Sequence, residues 1–182
     1  MRTEDERLYG RIFVAIGIAF AAFLVLSVAL PFMNTAGLLT HLDGRVNVID
    51  HAGLWSGLDP LTSLVYTIGD FGCHQEQTRT ILLNDNEMPF CIRETFLLVG
   101  IVSGFLAIAL SKRMRSMSTR NLFVIGAVLV LLTLAEWTFE NQTSIDIPQI
   151  RAVVSVLSGI GVPLVLRALL VWETGLLDRR SA

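Results

Sequence analysis

The stretch IFVAIGIAFAAFLVLSVALPF, from Ile12 to Phe32, carries no charged residue, and its reading decides the fold. A helix of this length reaches about 30 Å, the thickness of a bilayer's hydrocarbon core. A secretory signal is the competing reading. The apolar part of such a signal runs to only about 7–15 residues and follows a basic flank. Here the flank mixes signs, with Arg2, Glu4, Asp5, Glu6 and Arg7. The stretch is therefore expected to stay in place as a helix across a membrane.

The rest of the chain follows the same pattern. Of its 182 residues 53% are hydrophobic and only 16% charged, against roughly 25% charged in a soluble domain. The charges cluster, leaving three further apolar runs at 95–111, 121–137 and 152–172. With 12–32 these make four expected spans. The expected fold class is all-α, an integral membrane four-helix bundle in a single domain, 1–182. A polar segment rich in Gly, Asn, Asp and His begins at 33, and it opens an extracytoplasmic lobe over 33–93. Within it 58–71 is apolar but too short to span. Asp59-Pro60 is a good helix start, since proline suits a first turn. An interfacial helix and a re-entrant one both fit 58–71.

Small residues suggest how the spans meet. Gly100 and Gly104 lie four apart on one helix face, where they admit a close neighbour. That neighbour could be a second copy, giving a helix-mediated oligomer. Ser155 and Gly159 form a similar face in the last span, and Pro163 interrupts it. Lys and Arg concentrate at the N-terminus, at 112–120 and at the C-terminus. The positive-inside rule then puts both termini in the cytoplasm of a cell-membrane protein, with 33–93 and 138–151 outside. Trp55, Trp137 and Trp172 fall near expected interfaces, as aromatic belts do. The lipid bilayer is the expected partner. A net charge of −2 and the lack of a basic patch argue against nucleic acid. No GxSxG, Walker or Rossmann pattern points to a conventional soluble enzyme, and no internal repeat supports a transporter.

Chemistry concentrates in the lobe. Cys73, His74, Cys91 and Glu94 are all ligands for a divalent metal such as zinc, which takes thiolate, imidazole and carboxylate. Cys91 and Glu94, three apart at a helix start, share one face. His51 and Arg93 are candidates for supporting roles around such a site. A disulfide Cys73–Cys91 is an equal alternative. Closing a loop of about 18 residues would stabilise by roughly 3 kcal/mol, and the protein would then be a structural or assembly protein. Two unrelated thiols are the third reading. Arg79 and Arg93, among Glu76, Asp85, Glu87 and Glu94, read as surface ion pairs; alternatively Arg93, at the membrane edge, holds an anion or a carboxylate bidentately. Glu136, about one turn from the end of its span, and Glu140 are acidic groups near membrane depth.

The residues Cys73-His74-Gln75, Arg79-Thr80, Pro89, Cys91, Arg93, Thr95 and Gly100 also resemble the DUF2085 family of small membrane proteins. That family looks like CHQ, RS, a spacer, then a PxCxRC segment entering a membrane helix. The resemblance covers about 70–104, with an echo at Arg151 and Gly159. Glu94 stands where the family usually has a second cysteine, and Phe96 replaces a usual glycine. A carboxylate there keeps a ligand but a harder one, less suited to soft metals. The resemblance implies a membrane protein without specifying an activity.

Overall fold

The computed structural model describes residues 4–143 and 147–180. In chain order these form α1 (Glu4–Met33), α2 (Ala52–Trp55), α3 (Pro60–Gly72), a 3-10 turn (Gln77–Arg79), β1 (Thr80–Leu83) and β2 (Asn86–Cys91). Then follow α4 (Ile92–Leu110), α5 (Lys112–Ser116), α6 (Thr119–Thr143) and α7 (Pro148–Arg180). Four helices are long and apolar enough to cross a membrane: Leu8–Met33, Ile92–Leu110, Thr119–Thr143 and Pro148–Trp172. The chain is thus an all-α, multi-pass membrane protein. Arg2, used for the expected orientation, and 144–146, in the expected second loop, lie outside the described residues. The rest of that loop differs from expectation. Thr143 still belongs to α6 and Pro148 already opens α7, because nothing in Thr138–Thr143 breaks a helix.

The chain divides into two compact units, 22–95 and 1–21 with 96–182. The second is a helical bundle with α7 at its centre. Lipid tails are as apolar as leucine, so membrane helices associate through close packing rather than water exclusion. Glycine makes the approach. A Cβ on Gly100 would run into the Val156 carbonyl of α7, and one on Gly159 into the Leu97 carbonyl of α4. Gly104 faces Pro163, where a Cβ would lie 2.6 Å from the ring. On its other side α7 crosses α6, with Gly161 against the Gly126 carbonyl at 2.6 Å from an added Cβ. The Gly100/Gly104 face expected to hold a second copy is therefore already covered by α7 of the same chain.

Polar groups reinforce these crossings. Thr133 donates to Ser158 Oγ at 2.6 Å, and Ser158 donates to the Leu129 carbonyl at 2.7 Å. Arg151, only 2% exposed, donates to Glu140 at 2.5 Å and lies 3.9 Å from Glu136. Glu136 and Glu140 are one turn apart, so both carboxylates of α6 meet one guanidinium of α7. Phe13, Ile101, Phe105, Ile108, Leu122, Leu164 and Ala168 fill the apolar core.

The unit 22–95 contains the last part of α1, then α2, α3, the hairpin and the first turn of α4. It holds a hairpin in a stretch whose polar and acidic residues read as loop. Asn84 and Asp85 both have φ of 55°, the left-handed pair that a two-residue hairpin turn demands. β1 and β2 pair antiparallel, Thr80 opposite Cys91 and Leu83 opposite Asn86. Between α1 and α2 the chain has no regular structure, so buried side chains satisfy its backbone. Asn86 accepts from Leu39 N at 2.9 Å and donates to the Pro31 carbonyl at 2.8 Å. Glu87, fully buried and not a surface ion-pair partner, accepts from His41 N at 2.8 Å and Leu42 N at 3.3 Å. Asp70, equally buried, accepts from His51 N at 2.9 Å and Trp55 Nε1 at 2.7 Å. Trp55 is therefore a core residue of the lobe and not part of an aromatic belt.

Two predictions follow from these contacts. Gly100→Leu or Gly159→Leu overpacks a backbone crossing, which costs typically about 1–3 kcal/mol. Each should lower the thermal midpoint in detergent, whereas Gly10→Ala, with nothing within 4 Å of the added Cβ, should not. Burial pushes Glu87 above its ordinary value of 4.5, against the His41 and Leu42 amides that favour the charged form. Its contribution to stability is complete below that ordinary value and is lost as pH rises through the higher folded value. Stability should therefore rise on acidification into that window in the natural protein but not in Glu87→Gln. Asp50 and Asp59 act in the opposite sense below 3.8, because hydrogen bonds from Arg45 and Thr62 hold them down.

Candidate metal and thiol site

The end of α3, the end of β2 and the start of α4 converge on one point. Asp59 caps α3 by accepting from Leu61 N and Thr62 N, and Pro60 follows, as a helix start requires. The helix ends at Cys73, whose backbone is extended, with φ −143° and ψ 150°. Cys91 closes β2, and Glu94 lies in the first turn of α4. Their ligand atoms, two Sγ and a carboxylate oxygen, all lie within 4.8 Å of one another. Cys73 Sγ is 3.4 Å from Glu94 Oε2, and Cys91 Sγ donates to the same oxygen. Both cysteines are free thiols, Cys73 buried and Cys91 half-buried.

The electrostatics distinguish the two sulfurs. A hydrogen bond from Cys91 draws the Cys73 thiol below its ordinary value of 9.0, against burial and the Glu94 charge. Backbone N–H groups of Gln75 and Cys91 also favour the Cys73 thiolate, the latter at 3.4 Å. Cys91 moves the opposite way, raised first by its bond to Cys73, then by burial and by the Glu94 carboxylate. The two sulfurs are thus shifted in opposite directions, Cys73 toward the thiolate and Cys91 toward the thiol. The N-terminus of α4 adds a positive end of a helix dipole beside them.

The other sequence candidates stand elsewhere. His74 is exposed and its Nδ1 lies 3.1 Å from the Gly44 carbonyl, while its own carbonyl accepts from Gly44 N at 2.9 Å. It pins the loop and is not one of the three converging ligands. An extended backbone sends neighbouring side chains to opposite sides, so Cys73 and His74 diverge. His51 packs on Trp55, with Nδ1 3.5 Å from Asp70 Oδ1, and also stands outside the group. Arg93 precedes Glu94 in the first turn of α4. Arg79 pairs with Glu76 at 3.1 Å, the surface pair expected. Gln75, which the sequence marks only as part of Cys73-His74-Gln75, has a structural role. It is fully buried at φ 48° and donates to the Pro89 carbonyl at 2.9 Å, which fixes the end of α3 against β2. Gly69 comes close against the same carbonyl.

Comparison with known protein families matches residues 73–165, just over half of the 182, to one described as "Predicted membrane protein (DUF2085)". No curated protein and no solved structure matches the chain.

Deleting a clamp residue should cost in proportion to its burial. Gln75→Ala leaves the buried Pro89 carbonyl without its partner and should destabilise by about 1–3 kcal/mol. His74→Ala removes an exposed bond and should cost about 0.5–1.5 kcal/mol. Denaturant or thermal midpoints of the two variants in one detergent check the order.

Proposed function

The chain belongs to the DUF2085 family of predicted membrane proteins, and from that premise we propose that it binds a divalent metal ion of the zinc class through Cys73, Cys91 and Glu94. One observation carries the proposal: three ligand atoms from three elements lie within 4.8 Å of one another. Tetrahedral zinc holds thiolates at about 2.3 Å and carboxylate oxygen at about 2.0–2.2 Å, so its ligand atoms stand about 3.5–3.8 Å apart. The spacing accommodates an ion with small adjustments. Three protein ligands leave a fourth position for water or a further group, as in zinc sites that act on substrates.

The ligand set also has the right protonation chemistry. A thiolate, not a thiol, binds the metal, and Cys73 is already biased that way. Cys91 would release its proton on binding, so affinity falls as pH falls. Two thiolates and one carboxylate carry three negative charges against the ion's two positive ones. Arg93, adjacent to Glu94 in the chain, is the cation suited to balance the excess. On the proposed topology, with both termini cytoplasmic, the site faces the outer side of the membrane. A second reading, a Cys73–Cys91 disulfide, draws on the same proximity of the sulfurs. The shared contact with Glu94 favours the metal, because a disulfide has no use for a carboxylate between its sulfurs.

Elemental analysis of the protein purified in detergent tests the reading. About one zinc per chain is expected, lost in Cys73→Ser, Cys91→Ser and Glu94→Ala but retained in His74→Ala. Metal-free protein with two titratable thiols would refute the site. Metal-free protein with none, restored to two by reductant, would establish the disulfide instead.

A further inference from the structure

We infer that α3 lies along the membrane surface, with one apolar face immersed in the lipid of the leaflet that carries the lobe. The helix is inverted relative to a helix in water. Its buried face holds Thr62 and Asp70 beside Val65, Tyr66 and Gly69, while its exposed face is formed by Leu61, Leu64, Ile68 and Phe71. These four are 38%, 58%, 43% and 50% exposed. Spaced by three and four residues, they form a single stripe along the helix. Four large apolar side chains in a row are the pattern of a helix that rests on a bilayer.

What covers the stripe follows from where the helix is tied. At its N-terminal end Thr62 Oγ1 accepts from Asn34 Nδ2 at 3.1 Å, and Asn34 follows directly on Met33, the last residue of the first span. At its C-terminal end Cys73 receives the amide of Cys91 and contacts Glu94, at the start of the next span. Consecutive spans joined by a lobe that does not cross have those two ends on the same face of the membrane. A helix fastened at both ends to that boundary runs along it. Its 13 residues extend only about 20 Å, too short to cross about 30 Å of hydrocarbon. A re-entrant path would need at least one end at depth, and both ends are held at the rim. The occupant of the stripe is therefore lipid. Among the exposed residues of α3 there is no Lys or Arg, so the attachment does not depend on anionic headgroups. The same ties hold Cys73, Cys91 and Glu94 at headgroup level.

Tryptophan placed on the stripe tests this in the full-length protein. Leu64→Trp and Ile68→Trp, both at exposed positions, are reconstituted into phosphatidylcholine vesicles. The parent protein, with its own three tryptophans, is the reference. Brominated phosphatidylcholines quench the added emission, with bromines either near the headgroup end of the acyl chain or near its methyl end. Strong loss with shallow bromines and weaker loss with deep ones is expected at both positions. Emission unaffected by either lipid, at the wavelength of tryptophan in water or protein, overturns the inference. Stronger quenching by deep bromines overturns it as well, in favour of a re-entrant segment.

Discussion

The lobe depends on backbone amides held by buried side chains. Between Asn34 and Asp59 the chain has only the short α2, yet Leu39 and Leu42 are fully buried. A buried amide without a partner costs about 1–3 kcal/mol. Asp70, Asn86 and Glu87 supply the partners from α3 and β2, each reaching into the irregular segment to meet two or more main-chain groups or a tryptophan N–H. This is why acidic and amide residues stand at zero exposure in so apolar a protein. It also fixes α3, the hairpin and the loop as one body, and so fixes the position of Cys73 relative to Cys91.

The spans were legible in the sequence because a bilayer imposes a length and a composition, and both are local properties. The start of α3 was legible for a similar reason, since Asp59 and Pro60 act on amides within three residues. The hairpin had a local signal too, in Asn84-Asp85 between two runs of strand-forming residues, but the acidic and polar positions around it obscured the pattern. What could not be read were pairings across long separations. Trp55 looks like a belt residue until Asp70, fifteen residues on, is seen to take its N–H. Glu87 looks like a surface charge until the loop amides around it are known. His74 looks like a ligand because it adjoins Cys73, and an extended backbone makes that adjacency misleading.

In the helical unit the organising element is α7, which presents small residues in two directions. Gly159 and Pro163 face α4, and Gly161 and Ser158 face α6. Since no aqueous hydrophobic effect draws helices together in lipid, a crossing is only as strong as its contact distance and its hydrogen bonds. The Arg151 cluster completes this arrangement at the start of α7. Arg151 is buried there, and removing a single partner from such a group is more damaging than never having built it.

The candidate site owes its geometry to the way three elements end. Cys73 is the residue after α3, Cys91 the last of β2 and Glu94 in the opening turn of α4, so the ligands report on the relative position of three segments. An ion held there would cross-link them, and its binding free energy would become part of the stability of the lobe. The reverse also holds. Asp70 and Glu87 set the loop, Gln75 sets the end of α3 against Pro89, and Asn34 ties α3 to the first span. A change at any of these contacts, though remote in sequence, alters the distance between two sulfurs and a carboxylate. Glu94 supplies the carboxylate of the proposed set, a harder ligand than either thiolate, so it is the member that would turn such a site away from soft metals.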